Sequence, residues 1–150
     1  MLEEGSTFPD FNLQDQDGKG WTLADLKGEK AIVYFYPKDD TGGCTAQACG
    51  FRDTLPRFAG ARVVGVSPDS VKSHRKFVDK FGLNFPLLAD PERALIGPLG
   101  LWIEKTLYGK KYMGVDRTTF LLDEDGKVLK IWRKVKPDGH ASEVLAVLNG

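Results

Sequence analysis

The 150-residue sequence is poor in the residues that hold metals or build disulfide frameworks, since it has two cysteines and two histidines. It also has no excess of charge, because 21 Lys and Arg residues balance 21 Asp and Glu residues. Without a basic surplus or a charged tail, nothing argues for a nucleic acid partner or a membrane surface. No apolar run reaches membrane-spanning length, and the opening MLEEGSTFPDF lacks the apolar core of a signal peptide. We therefore expect a cytoplasmic protein without nucleic acid or membrane partners.

The length fits one domain, and we predict a single domain over residues 1–150. FNLQDQDGKGWTL alternates apolar and polar residues around Asp17-Gly18, which predicts an N-terminal β-hairpin. The runs AIVYFY (31–36) and ARVVGVS (61–67) are typical of strands buried on both faces of a sheet. TTFLL (118–122) and KVLKIW (127–132) flank DEDG, which predicts an antiparallel hairpin.

Three helices are predicted between and after these strands. The first begins near residues 41–43 and runs toward Leu55, and the last covers His140 to Leu148. The middle helix follows Ser67-Pro68, which we interpret as an N-cap with proline in the first turn, and ends at Gly82. Residues 83–116 are predicted to be irregular. The element order indicates an α/β protein with a thioredoxin-like fold, in which a central mixed β-sheet carries helices on both faces and an N-terminal β-hairpin.

Both cysteines lie in one segment, PKDDTGGCTAQACGFRD (37–53). Unpaired cysteines are often small buried hydrophobes, and that interpretation stays open. A zinc site is disfavoured because His74 and His140 have no metal-ligand spacing to each other or to the cysteine pair. We expect His74 to lie in the core or at its boundary, on the apolar side of the middle helix, and His140 to lie at the surface.

The position of Cys44 favours a reactive thiol. It stands in or near the first turn of a helix that follows a buried strand, where unpaired N–H groups and the helix dipole stabilise an anion. The thiolate is the nucleophilic form of cysteine. Cys49 lies five residues further, which in a helix is about 7.5 Å of rise and about 140° of rotation. A disulfide needs Cα atoms within about 7 Å, so bonding of the two residues requires the helix start to unwind.

The segment also resembles a known family. P-x-x-x-T-x-x-C, formed by Pro37, Thr41 and Cys44, resembles the active-site signature of the peroxiredoxins. The spacing from Cys44 to Cys49 resembles the Q-type subgroup, also called bacterioferritin comigratory protein. GSTFPDFNLQDQDGKGWTLADLKG and GVDRTTFLLDEDGKV resemble the family's N-terminal region and C-terminal hairpin, so the resemblance covers nearly the whole chain. One departure is T-G-G-C where the Q-type pattern usually has T-P-G-C.

The resemblance implies a thiol-dependent peroxidase that reduces hydrogen peroxide and organic hydroperoxides. Cys44 would be the peroxidatic cysteine, which forms a sulfenic acid, and Cys49 the resolving cysteine, which forms an intrachain disulfide with it. Thr41 would bond the peroxide and the thiolate, Arg117 would stabilise the thiolate and the leaving oxygen, and Pro37 would shield the pocket. A thioredoxin-like dithiol reductant would reopen the disulfide. The chemistry requires no metal or cofactor, and a monomer suffices because both cysteines belong to one chain.

Two other functions stay open on the sequence alone. A thiol–disulfide oxidoreductase could use the same fold, although that class usually carries C-x-x-C, and here Gln47 stands three residues after Cys44. The second alternative is a non-enzymatic chaperone or binding module in which both cysteines are inert.

Overall fold

The computed structural model describes residues 2–149 as a sheet with helices and a separate hairpin. The strands are β1 (Asn12–Gln14), β2 (Gly20–Thr22), β3 (Lys30–Phe35), β4 (Ala61–Ser67), β5 (Leu87–Ala89), β6 (Trp102–Leu107), β7 (Lys110–Val115), β8 (Thr118–Leu122) and β9 (Val128–Trp132). The helices are α1 (Leu23–Leu26), α2 (Gly42–Thr54), α3 (Val71–Phe81) and α4 (His140–Asn149), and a short 3-10 helix covers Leu55–Arg57. None of the helices in this part of the chain is both long and apolar enough to cross a membrane.

The sheet is mixed and has the strand order β2-β1-β5-β4-β3-β8-β9. At its centre, β3 pairs with β4 in parallel and with β8 antiparallel. β1 and β2 form the N-terminal hairpin, with Leu13 opposite Trp21, and β8 and β9 form the second hairpin. The predicted fold class, an α/β thioredoxin-like fold around a mixed sheet, is therefore confirmed.

The three long helices share one face of the sheet. Residues of α2, α3 and α4 join a single buried cluster with β3, among them Phe51, Phe77, Val144 and Tyr34. The chain steps in one direction from β3 to β4 to β5, and right-handed crossovers then put α2 and α3 on the same side. The other face packs against the short helix α1 and residues 95–101. Helices therefore lie on both faces as predicted, although the three long ones share one of them.

Residues 83–116 are more regular than predicted. They contain β5, which extends the main sheet beside β4, and the hairpin of β6 and β7. Between β5 and β6, the buried Asp90 carboxylate accepts the backbone N–H groups of Ala94, Leu95 and Ile96 at 2.7, 3.0 and 2.8 Å. These bonds order a segment that no periodic pattern marks.

The predicted start of α3 was also wrong. Ser67 is the last residue of β4, and its hydroxyl donates to Asp69 Oδ2 at 2.6 Å rather than capping a helix. Ser70 is the N-cap, because its Oγ accepts the backbone N–H of Ser73 at 3.1 Å. The predicted end is confirmed, since Gly82 caps α3 with φ +61°, a left-handed conformation that glycine adopts readily.

Candidate active site

The first turn of α2 carries Cys44. Thr41 is the N-cap in extended conformation, and its Oγ1 accepts the backbone N–H of Cys44 at 3.4 Å. Gly42 and Gly43 occupy the first two helical positions, so Cys44 stands third, among N–H groups that no helical carbonyl can reach. The Cys44 side chain is buried, with 1% of its surface exposed. The helix start and the position of Cys44 agree with the sequence prediction.

Arg117 contacts this turn although it follows Cys44 by 73 positions in the sequence. It lies between β7 and β8, and its Nη2 donates to Cys44 Sγ at 3.2 Å. Its carbonyl accepts the N–H of Val135 at 2.9 Å, which holds the backbone at the start of β8. A guanidinium this close stabilises negative charge on the sulfur and on any atom bonded to it. The structure therefore brings Cys44, Thr41 and Arg117 together, as their proposed roles require.

Gln47 is a site residue that sequence reasoning missed. Its side chain is buried, and its Oε1 accepts Arg117 Nη1 at 2.5 Å. Its Nε2 has no hydrogen-bond partner within residues 2–149. Gln47 follows Cys44 by three residues, so the two side chains share a face of α2. That i, i+3 spacing is the signal in the sequence that marks Gln47 as a neighbour of Cys44.

Cys49 lies on the same helix and is half-buried. Both cysteines are free thiols, and α2 is continuous from Gly42 to Thr54 through both of them. The Cys44 side chain faces the core together with those of Ala48 and Phe51. Cys49 lies on a different face of the helix. The structure thus presents the form with separated thiols that an intact helix requires.

Pro37 lies in the loop that leads from β3 to α2. It follows Tyr36 and is half-buried, four residues before the N-cap Thr41. A proline at this position ends β3, since it offers no N–H for the sheet.

Lys105 is a second cation beside the site, and it was not a candidate from the sequence. It projects from β6 of the separate hairpin, and its side chain is within 3.5–3.7 Å of the position that a Cβ on Gly114 would occupy. Burial lowers the pKa of Lys105 and the charge of Arg117 lowers it further, while Asp116 and Cys44 raise it. Lys105 is thus a residue of the segment 83–116 whose charge interacts with those of Arg117 and Cys44.

His140 lies in the core, so its predicted surface position was wrong. Its exposed fraction is 1%, and its Nε2 lies 2.8 Å from Thr119 Oγ1. Its ring packs edge-on against Phe51 and Trp132, with centroids 5.7 Å away in both cases. Burial lowers the pKa of His140, with Glu143 opposing the shift. His74 is buried as predicted.

Sequence comparisons relate this chain to a protein family and to individual known proteins. A sequence profile described as the AhpC/TSA family matches residues 5–131. A protein of Coxiella burnetii named putative peroxiredoxin bcp is 48% identical over 149 residues, 98% of this chain and 99% of its own length. Peroxiredoxin Bcp of Bacillus subtilis is 46% identical over 149 residues, 98% and 95% of the two chains.

Solved structures of similar proteins have the same fold as this chain. The bacterioferritin comigratory protein of Xanthomonas campestris, studied for its alkyl peroxide reduction activity, superposes with a TM-score of 0.87 at 45% identity, over 93% of this chain and 90% of its own. A cysteine-to-serine mutant of PrxQ from Xylella fastidiosa has a TM-score of 0.93 at 37% identity, over 99% of this chain and 96% of its own. Identities of 37% and 45% over nearly the whole chain mean that these proteins share sequence with it as well as the fold.

Proposed function

Because the chain belongs to the AhpC/TSA family as a Bcp or Q-type peroxiredoxin, and hence is a thiol-dependent peroxidase, we propose that Cys44 is the residue that attacks the peroxide. The observation that carries this proposal is the 3.2 Å contact between Arg117 Nη2 and Cys44 Sγ at the start of α2. The positive end of the helix dipole and the guanidinium would stabilise the thiolate together, and the thiolate is the nucleophile.

In the proposed reaction the Cys44 thiolate attacks one oxygen of a hydroperoxide. An S–O bond forms and the O–O bond breaks, so the sulfur is oxidised to sulfenic acid while the other oxygen leaves as water or an alcohol after taking a proton. Arg117 stabilises the negative charge that develops on the leaving oxygen. The Thr41 hydroxyl accepts the Cys44 N–H and donates to the Lys38 carbonyl oxygen, and by rotating its hydrogen away from that carbonyl it would bond the peroxide. Pro37 shields the pocket from the side of the loop.

Cys49 is proposed as the resolving cysteine. Its thiol sulfur attacks the Cys44 sulfenic acid, an S–S bond forms, and the hydroxyl leaves as water. In the intact helix the two thiols are on different faces, so the first turns of α2 must unwind before this step. Gly42 and Gly43 in the first turn make that unwinding easier, because glycine loses the most backbone entropy in a helix.

The substrates and partners follow from the same proposal. We propose hydrogen peroxide and organic hydroperoxides as substrates, which is supported by the alkyl peroxide reduction activity of the Xanthomonas campestris relative. A thioredoxin-like dithiol protein would reduce the Cys44–Cys49 disulfide by thiol–disulfide exchange. All proposed groups lie in one chain, which supports the proposal that a monomer of one domain, located in the cytoplasm, completes the cycle together with its reductant.

The test adds one equivalent of hydrogen peroxide to the reduced protein and follows free thiols and intact mass without reductant. Wild type should lose both thiols and two mass units and stay monomeric. Cys44→Ser should not react, and Cys49→Ser should stop at the sulfenic acid or oxidise further. A wild-type protein that keeps both thiols would contradict the role of Cys44. Reduction of insulin disulfides without peroxidase activity would instead favour an oxidoreductase.

A further inference from the structure

A buried hydrogen-bond network is centred on Asp39, five residues before Cys44 in the sequence. The Asp39 carboxylate, 8% exposed, accepts Tyr36 Oη at 2.6 Å on Oδ1 and Ser73 Oγ at 2.8 Å on Oδ2. His74 Nδ1 lies 2.7 Å from the same Oδ2, and the His74 ring is fully buried. A buried carboxylate is unfavourable by several kcal/mol unless donors compensate it, and here three donors do so. The proposed chemistry uses none of these side chains.

The His74–Asp39 contact holds a proton. His74 Nε2 lies 3.0 Å from the carbonyl oxygen of Leu88, which can only accept, so Nε2 carries a hydrogen. At 2.7 Å the space between Nδ1 and Asp39 Oδ2 then requires a second hydrogen, because two facing lone pairs repel. The pair is therefore neutral as a whole. The other titratable groups that face it are Tyr36, whose pKa is raised chiefly by burial, and Asp69.

The network also fixes the backbone of the loop. Asp39 N donates to Asp69 Oδ2 at 2.8 Å, so both the main chain and the side chain of Asp39 are held. Asp40 follows with φ +58°, a left-handed conformation that residues other than glycine rarely adopt. Lys80 of α3 holds Asp40 as well, with Nζ 2.8 Å from its Oδ2. Such a conformation persists where the residues around it are fixed.

Thr41 is the next residue, and it connects the loop to the thiol. Its hydroxyl donates to the Lys38 carbonyl oxygen at 3.3 Å and accepts the N–H of Cys44 at 3.4 Å. The path from His74 to Asp39 is a side-chain contact, and it continues to Thr41 through the backbone, because the Lys38 carbonyl that accepts from Thr41 belongs to the same peptide unit as the Asp39 N–H.

We propose that His74, acting through Asp39, is a positioning residue for the peroxide step. This inference rests on the proposed role of Cys44. Without the His74 donor, the Asp39 carboxylate is left undercompensated and the loop no longer holds Asp40 in its left-handed conformation. Thr41 then leaves the capping position, and the helix start frays. The peroxide step needs the folded turn and slows, whereas disulfide formation needs the turn unwound and does not slow.

The test measures the two steps separately by stopped-flow fluorescence on reduced protein mixed with hydrogen peroxide. His74→Ala should lower the rate constant of the peroxide step by about tenfold, and leave disulfide formation as fast as in wild type or faster. His74→Asn should restore the peroxide rate to within about threefold of wild type, because its amide can donate to Asp39 from near the position of Nδ1.

Two controls separate positioning from loss of stability. Val63→Ala removes a buried side chain that lies opposite Ile32 in the sheet and takes part in none of the network's hydrogen bonds, so it should lower thermal stability and leave the peroxide rate unchanged. Where His74→Ala does not fold, Ser73→Ala removes one donor to Asp39 and should slow the same step.

The outcomes distinguish this inference from the proposed function. Normal wild-type oxidation together with an unimpaired His74→Ala variant overturns the positioning role alone. So does a Val63→Ala variant that slows the peroxide step as much as His74→Ala does at matched thermal stability. A wild-type protein that does not react with peroxide overturns the proposed role of Cys44 and this inference with it.

Discussion

Arg117 shows how single side chains build the site at the scale of residues. Its guanidinium donates to Cys44 Sγ through Nη2 and to Gln47 Oε1 through Nη1. The planar fork of arginine can hold both partners in fixed directions, which the point charge of a lysine cannot do. Gln47 therefore orients the group that stabilises charge on the sulfur, although it does not touch the sulfur itself.

Replacement of Gln47 by methionine tests that orientation. Gln47→Met keeps the side-chain length but removes the acceptor of Arg117 Nη1, so we expect the rate constant for peroxide oxidation of Cys44 to fall by about tenfold. The measurement is stopped-flow oxidation at several peroxide concentrations. Ala46→Met introduces the same side chain at an exposed position of α2 and should react like wild type. Equal rates for Gln47→Met and wild type would show that Arg117 needs no such support.

At the scale of elements, the start of α2 combines a good cap with two weak helix formers. Thr41 caps the helix, but Gly42 and Gly43 follow it in place of residues that restrict the backbone. A Cβ at position 42 would meet no atom within 4 Å, so the glycine there is not required by packing. We expect it to act on the unwound form of the turn, which is the form that the proposed disulfide formation needs.

Gly42→Pro should slow disulfide formation and leave the peroxide step unchanged. Thr41 has φ −90° and ψ 160°, the extended conformation that a residue before proline prefers, and proline fits the first helical position. A restriction of the unwound turn by about 0.4–1 kcal/mol corresponds to a decrease of about twofold to fivefold in the disulfide step. Stopped-flow fluorescence resolves the two phases, with Gly42→Ala as a milder control. An unchanged second phase would rule out helix unwinding as the limiting event.

The buried His140 at the start of α4 should make the stability of the protein depend on pH. Burial lowers the folded-state pKa of His140, whereas its unfolded value is about 6.5. As the pH falls below that value, the unfolded chain binds a proton that the folded protein does not, so stability decreases. His140→Gln cannot titrate, and its free energy of unfolding in urea should change less between pH 7.5 and pH 5 than that of wild type. Parallel pH profiles of the two proteins would contradict this sign.

At the scale of the whole molecule, the site joins parts of the chain that are far apart in sequence. Arg117 is 73 positions from Cys44, and Lys105 comes from a hairpin that is not part of the main sheet. Cys44, Ala48 and Phe51 of α2 also belong to the buried cluster on the helical face. A change at Cys44 therefore affects packing as well as chemistry.

Oxidation should for that reason destabilise the molecule. A Cys44–Cys49 disulfide requires the first turns of α2 to unwind, which removes Cys44 and its neighbours from the buried cluster. We expect a lower thermal midpoint for the oxidised protein than for the reduced one, and faster amide hydrogen exchange confined to the loop after β3 and the start of α2. Cys49→Ser treated with peroxide serves as the control, since it cannot form the bridge. A higher midpoint on oxidation would contradict local unwinding.

Local pattern alone determined much of this protein. Alternating and continuous apolar runs predicted the two hairpins and the buried strands β3 and β4, because burial along a strand follows a fixed period. A capping residue, two glycines and a cysteine after a buried strand predicted the start of α2 and a thiol in its first turn. These features depend on residues that are close in sequence.

The tertiary structure decided what depends on distant residues. His140 carries a polar ring in an exposed-looking first turn, yet Phe51, Trp132 and Thr119 bury it. The partnership of Gln47 with Arg117, the approach of Lys105 and the shared face of three helices follow from how the sheet brings separate segments together. A local period records which side of an element is buried, but it holds no information on which distant side chain the buried group will meet.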